Sequence, residues 1–217
     1  MTLLTDHRRS LVMNTSIKDV KSTLDSTFGA LTNVCSRKSH LGFLCLSAMI
    51  DYLSKLAYRD DLKGWERYPK FIKEFFPRKY SEFEYKTGEK DLPRQMYYVL
   101  RNGMVHSFTL VPNEMGRRHG GRLKSIVLCH RREAKQDRLY HLHLYKDRQG
   151  RFENAALFVM EDFLEDTKLA AYNLMSKAKR DSHLRQNVLE WFAKYPPITG
   201  GFRVSLVRRS PQGQRAS

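Results

Sequence analysis

Gly42-Phe-Leu-Cys-Leu-Ser-Ala-Met-Ile-Asp-Tyr-Leu-Ser-Lys-Leu-Ala-Tyr58 is the stretch that decides the fold class. Ten of its side chains, from Phe43 to Ala57, are apolar, and they leave only a thin polar stripe of Ser47, Asp51, Lys55 and Tyr58. A helix apolar nearly all round belongs at the centre of a bundle, so its neighbours must supply the packing partners. Upstream, Ile17, Val20, Leu24, Phe28, Leu31 and Val34 recur at the spacing of one helical face between Ser16 and Val34. Downstream, Tyr68 to Phe76 is a shorter helix stopped by Pro77. Asp91 caps a helix reaching about Phe108, with Pro93 in the first turn and Met96, Leu100 and Met104 as its apolar stripe. Helices over 154–179 and 182–195 complete the bundle.

Between these helices, Leu123–His130 and Arg138–Tyr145 read as strands. In the second, Tyr140, Leu142 and Leu144 alternate with His141, His143 and Tyr145, as in a half-buried strand. The expected fold is therefore mainly α: a helical bundle over residues 16–198 with an inserted basic β-hairpin at about 123–145. Residues 1–15 and 199–217 read as mobile appendages, the second basic.

Composition narrows the function classes. The 217 residues are 41% hydrophobic and 29% charged, the balance of an ordinary globular domain. No run of 18 consecutive apolar residues suggests a membrane span, and the first residues lack the apolar core of a secretory signal. Cys35, Cys45 and Cys129 form no CxxC pair, which points to a reducing, cytoplasmic setting. The formal net charge of +16 points to a polyanionic partner, with nucleic acid favoured over a membrane or an acidic protein. From Arg117 to Arg151, eleven Lys/Arg stand against three acids, so half of the surplus sits in one stretch. Arg117, Arg118, Arg122, Lys124, Arg131, Arg132 and Arg138 are its candidate nucleic-acid contacts, with Tyr140, Tyr145 and the histidines placed to meet bases.

Arg101-Asn102-Gly103-Met104-Val105-His106 carries the chemistry. Arg101 and His106 are five residues apart, which on an α-helix sets them about 140° apart around the axis. One such helix cannot easily aim both at a single phosphate, whereas two copies about a twofold axis can. Gly103 costs roughly 1 kcal/mol inside a helix, a tolerable loss where it permits close helix approach.

The R-N-xxx-H pattern, behind the apolar helix that contains Asp51 and the helix that ends at Pro77, resembles the HEPN superfamily over residues 16–110. These are small helical bundles that include many metal-independent ribonucleases, some acting as toxins or in phage defence. The resemblance implies a homodimeric endoribonuclease with no cofactor and no metal, acting on RNA, with an antitoxin protein as a further candidate partner. It implies that His106 serves as general base or acid, that Arg101 stabilises the scissile phosphate, and that Asn102 orients the imidazole or binds across the dimer. Some members carry a tyrosine two positions after the histidine as a target for adenylylation; this chain has Phe108. The same fold and charge also suit a non-catalytic module that binds nucleic acid or a protein. Asp51 either pairs with Arg101 inside the bundle or lies on a solvated stripe. His141 and His143, near Cys129 and His130, either begin a zinc site or line a solvated strand face.

Overall fold

The computed structural model describes residues 15–37, 40–103, 124–146 and 155–197. Helix α1 spans Ile17–Cys35, opened by a capping box in which the Ser16 hydroxyl accepts from the Asp19 amide while Asp19 accepts from Ser16. Helix α2 is Leu41–Tyr58 and α3 is Gly64–Phe75. Phe76 precedes Pro77 and adopts extended dihedrals, which ends α3. A short α4, Lys79–Glu82, and α5, Leu92–Gln95, follow. The chain then widens into a π-helix over Met96–Gly103.

The α2 helix is the axis of the bundle. It packs against α1, α3, the π-helix, α7 (Met160–Arg180) and α8 (Ser182–Lys194). Phe43, Leu46, Ile50, Leu53 and Leu56 are fully buried there. By length and mean hydropathy α2 is long and apolar enough to cross a membrane, but over half of it is buried within the bundle, as suits a core helix. Its first turn packs tightly at Gly42: a Cβ there would stand 2.7 Å from Cε of Met160, the flexible end of that side chain, and 3.1 Å from Sγ of Cys35.

The basic segment departs from expectation. Strand β1 is Ile126–Cys129, β2 is only Leu144–Tyr145, and a helix α6, Arg131–Gln136, lies between them. The two do not pair as a hairpin. Both flank β3, Ala155–Val159, in the order β1-β3-β2. The β1 strand runs parallel to β3, with Ile126 opposite Ala156, and β2 runs antiparallel, with Leu144 opposite Ala156. Every residue of β3 is buried, so it is a central strand read continuously as apolar. The helix expected from 154 accordingly starts at Met160. Two left-handed residues, Arg138 and Leu142, break the alternation that suggested a long second strand. Apart from Thr15, the appendages lie outside the described residues, as does Pro-flanked residue 198.

Candidate active site

Asp51 sits midway along α2 on the stripe left polar by the core face. Its two oxygens serve two guanidiniums: Oδ1 accepts from Nη2 of Arg67 at 3.3 Å, and Oδ2 accepts from Nη2 of Arg101 at 3.1 Å. The pairing of Asp51 with Arg101 is thus present, and the purely solvated alternative is not. The two arginines occupy different environments. The Arg67 side chain is 6% exposed, that of Arg101 26%.

Arg67 is bound on every side. Nε donates to Oγ of Ser54 at 3.1 Å, and Nη1 donates to the carbonyls of Arg59 and Leu62. Those carbonyls follow the end of α2, where Arg59 turns left-handed at φ 55°. Arg67 therefore caps the turn between α2 and α3 with a buried cation, and Asp51 supplies its closest carboxylate. The exposed Asp60 stands farther off, at 4.0 Å.

Arg101 projects from the π-helix. Nη1 donates to Oδ1 of Asn102 at 2.8 Å, and the guanidinium lies 5.9 Å from the centroid of the Tyr97 ring. Tyr97 in turn tilts against Tyr68, 5.7 Å away, and Tyr98, 5.1 Å away. A carboxylate, an amide oxygen and an aromatic face thus hold the planar fork of a cation about a quarter exposed, and Asp51 divides one negative charge between two positive ones. Such a group can receive a phosphate oxygen with its orientation already set.

The first three residues of the motif, Arg101 to Gly103, lie in the π-helix. Its hydrogen bonds run from residue i to i+5, so the 140° divergence of an α-helix does not apply over Met96–Gly103. Gly103 is buried at the end of this described stretch. His106 and Phe108 lie outside the described residues, as do Met104, Arg117, Arg118 and Arg122. Asn102, expected to orient the imidazole, gives its amide oxygen to Arg101.

The described basic residues divide into two groups. Lys124 is pinned: its amide donates to Oε1 of Gln95 and its ammonium pairs with Glu89 at 3.1 Å. Arg131 pairs with Asp162 and Glu165 on α7, so it ties α6 to the bundle. Arg132 and Arg138 are exposed, with Lys135 beside them on α6. Tyr140 is 66% exposed and meets His143 edge-on at 4.8 Å.

His141 and His143 do not share a strand face. His141 turns into the core, where Nδ1 accepts the Val159 amide at 3.0 Å and Nε2 meets the Tyr80 hydroxyl at 2.8 Å. Among the described residues no three His, Cys, Asp or Glu side chains converge as metal ligands. The sequence reading missed both Arg67 and the His141–Tyr80–Asp166 chain. For Arg67 a signal was available: it precedes Phe71 and Phe75 at intervals of four, a charge on an apolar stripe.

No protein-family model matches the chain, and no curated protein or solved structure matches it.

Proposed function

We propose that the chain is a metal-independent endoribonuclease of HEPN type, acting in the cytoplasm as a toxin or phage-defence effector. The observation that supports this reading is the Arg101 guanidinium, held by Asp51 and Asn102 against Tyr97 and still about a quarter exposed, in a protein of net charge +16. A positioned, accessible fork on a basic protein suits the charge that develops on a scissile phosphate.

In this reading His106 removes the proton from a ribose 2′-hydroxyl, whose oxygen attacks the adjacent phosphorus. The bond to the 5′-oxygen breaks as that oxygen takes up a proton, leaving a 2′,3′-cyclic phosphate and a 5′-hydroxyl. Arg101 bears the added charge on the nonbridging oxygens, and Asp51 keeps the guanidinium aimed. The homodimer is supported by the five-residue spacing of Arg101 and His106 together with the resemblance, and an antitoxin partner by the resemblance alone. The exposed Arg132, Arg138 and Tyr140 would hold RNA beyond the site.

The test is incubation of wild type and His106→Ala with labelled single-stranded RNA in EDTA, followed by analysis of product ends. Cyclic phosphate ends from the wild type alone support the reading. Binding by both without cleavage favours a non-catalytic nucleic-acid module instead.

A further inference from the structure

The chain has two tryptophans, and they are placed oppositely. Trp191 is 8% exposed and packs on Tyr195, whereas Trp65 is 46% exposed on the first turn of α3. No ring stacks on Trp65 among the described residues. A large indole face left in water is a surface on which a flat partner gains by stacking.

Its position relative to Arg101 follows from α3. Gly64, next to Trp65, abuts the π-helix: a Cβ there would stand 3.1 Å from the Tyr97 hydroxyl. Gly64 and Tyr68 share the stripe that meets Tyr97. At about 100° per residue, Trp65 and Arg67 fall on opposite sides of that stripe, about 160° apart. On α3, Trp65 therefore lies to one side of the residues that meet Tyr97, and Arg67, which shares Asp51 with Arg101, lies to the other.

We infer that Trp65 is a stacking platform for a base of single-stranded RNA, flanking the phosphate that Arg101 receives. This inference rests on the nucleic-acid reading above and goes beyond it by assigning strand selectivity. An unpaired base offers a free face to the indole, while a base inside a duplex is already stacked on both sides. Stacking on indole accepts any base, so the platform selects single strands over duplexes without selecting sequence.

The probe is a 2′-O-methyl ribonucleotide decamer, which binds but cannot form a cyclic phosphate. Titrating it into the full chain quenches indole fluorescence, and Trp65→Phe abolishes the quenching while keeping the affinity within a few-fold. Trp65→Ala weakens binding of the labelled decamer roughly 5- to 100-fold. The duplex form of the decamer, and polyphosphate of equal charge, leave the indole unquenched. Equal quenching by polyphosphate overturns the inference, as does unchanged affinity in Trp65→Ala. A blue shift of the indole with protein concentration alone also overturns it, because a second copy of the chain then covers the face. The two levels separate cleanly. RNA cleavage with normal binding by Trp65→Ala removes the platform and keeps the ribonuclease; quenching by the decamer without RNA cleavage does the reverse.

Discussion

The Tyr80 hydroxyl stands 2.8 Å from Nε2 of His141, and the proton arrangement between them is determined. The Val159 amide can only donate, so Nδ1 of His141 must accept and Nε2 carries the hydrogen. Tyr80 gives its own proton to Oδ2 of Asp166 at 2.9 Å, and Lys79 pairs with the same oxygen at 2.6 Å. The rings of Phe158 and Phe163 pack around the imidazole. This chain joins the end of β3, α4 and α7 to the segment that leads into β2.

Stability is expected to fall on mild acidification through this histidine. Burial lowers its pKa below the ordinary 6.5, with Lys79 adding to the shift and Asp166 opposing it. The unfolded chain therefore takes up a proton more readily than the folded one. The contribution is fully present above about pH 6.5 and is lost as pH drops below that value. Asp166 behaves similarly at lower pH: burial opposes its charge, but hydrogen bonds from His141 and Lys79 hold its pKa below the ordinary 3.8. Urea unfolding at pH 7.5 and 5.5 checks this. His141→Gln should be less stable by about 1–3 kcal/mol at pH 7.5 and show a smaller decline between the two.

Asp51 and Arg101 should separate in their effects. Asp51→Ala strips the buried Arg67 of its closest carboxylate and should cost about 3–5 kcal/mol of stability. Arg101→Ala leaves Asp51 paired with Arg67, so it should cost roughly 1 kcal/mol or less while abolishing RNA cleavage. Arg101→Lys keeps the charge but not the fork, and should recover stability more than activity. Denaturant midpoints measured beside cleavage rates decide the matter; equal destabilisation by Asp51→Ala and Arg101→Ala would contradict the division of roles.

The exposed cations of the α6 region should govern salt sensitivity. Replacing Arg132, Lys135 and Arg138 together by Gln should flatten the dependence of log affinity for single-stranded RNA on log salt. Each lost phosphate contact removes about 0.7 from the slope, so the limit is roughly 2. The same replacement at Lys124 or Arg131 should act through folding instead, because both are held in ion pairs. Filter binding across a salt series, with thermal melts in parallel, distinguishes the two groups.

Gly42 should tolerate one carbon and reject three. Alanine recovers up to about 1 kcal/mol of helix propensity against a contact with the flexible end of Met160. Valine overpacks the junction of α1, α2 and α7 and should cost about 1–3 kcal/mol. Chemical denaturation of both variants reads this directly.

Helix α1 was legible from apolar residues at the spacing of one face, α2 from an apolar surface nearly all round, and α8 from the prolines that follow it. The β3 strand was not, because Ala155-Ala-Leu-Phe-Val159 is a short apolar run that periodicity alone cannot assign to strand or helix. Taking it as helix left β1 and β2 with only each other to pair with, which produced the expected hairpin. In the site, Asp51 was visible as a carboxylate on a thin stripe of a core helix. Arg67 falls outside the helix expected from Tyr68, because α3 starts four residues earlier, at Gly64. The inward turn of His141 depends on a left-handed Leu142, a conformation no leucine announces.

All described members of the Arg101 cluster lie between residues 51 and 103, yet α2, which carries Asp51, is enclosed by α7 and α8 near the other end of the chain. On a ribosome adding roughly 5–20 residues per second, α8 is finished on the order of 5–20 s after Gly103 has been joined. During that interval α2 lacks two of its walls, so the aspartate has no fixed seat from which to aim the guanidinium. Whatever the cluster does is thereby withheld from the nascent chain and begins only when α8 has been made.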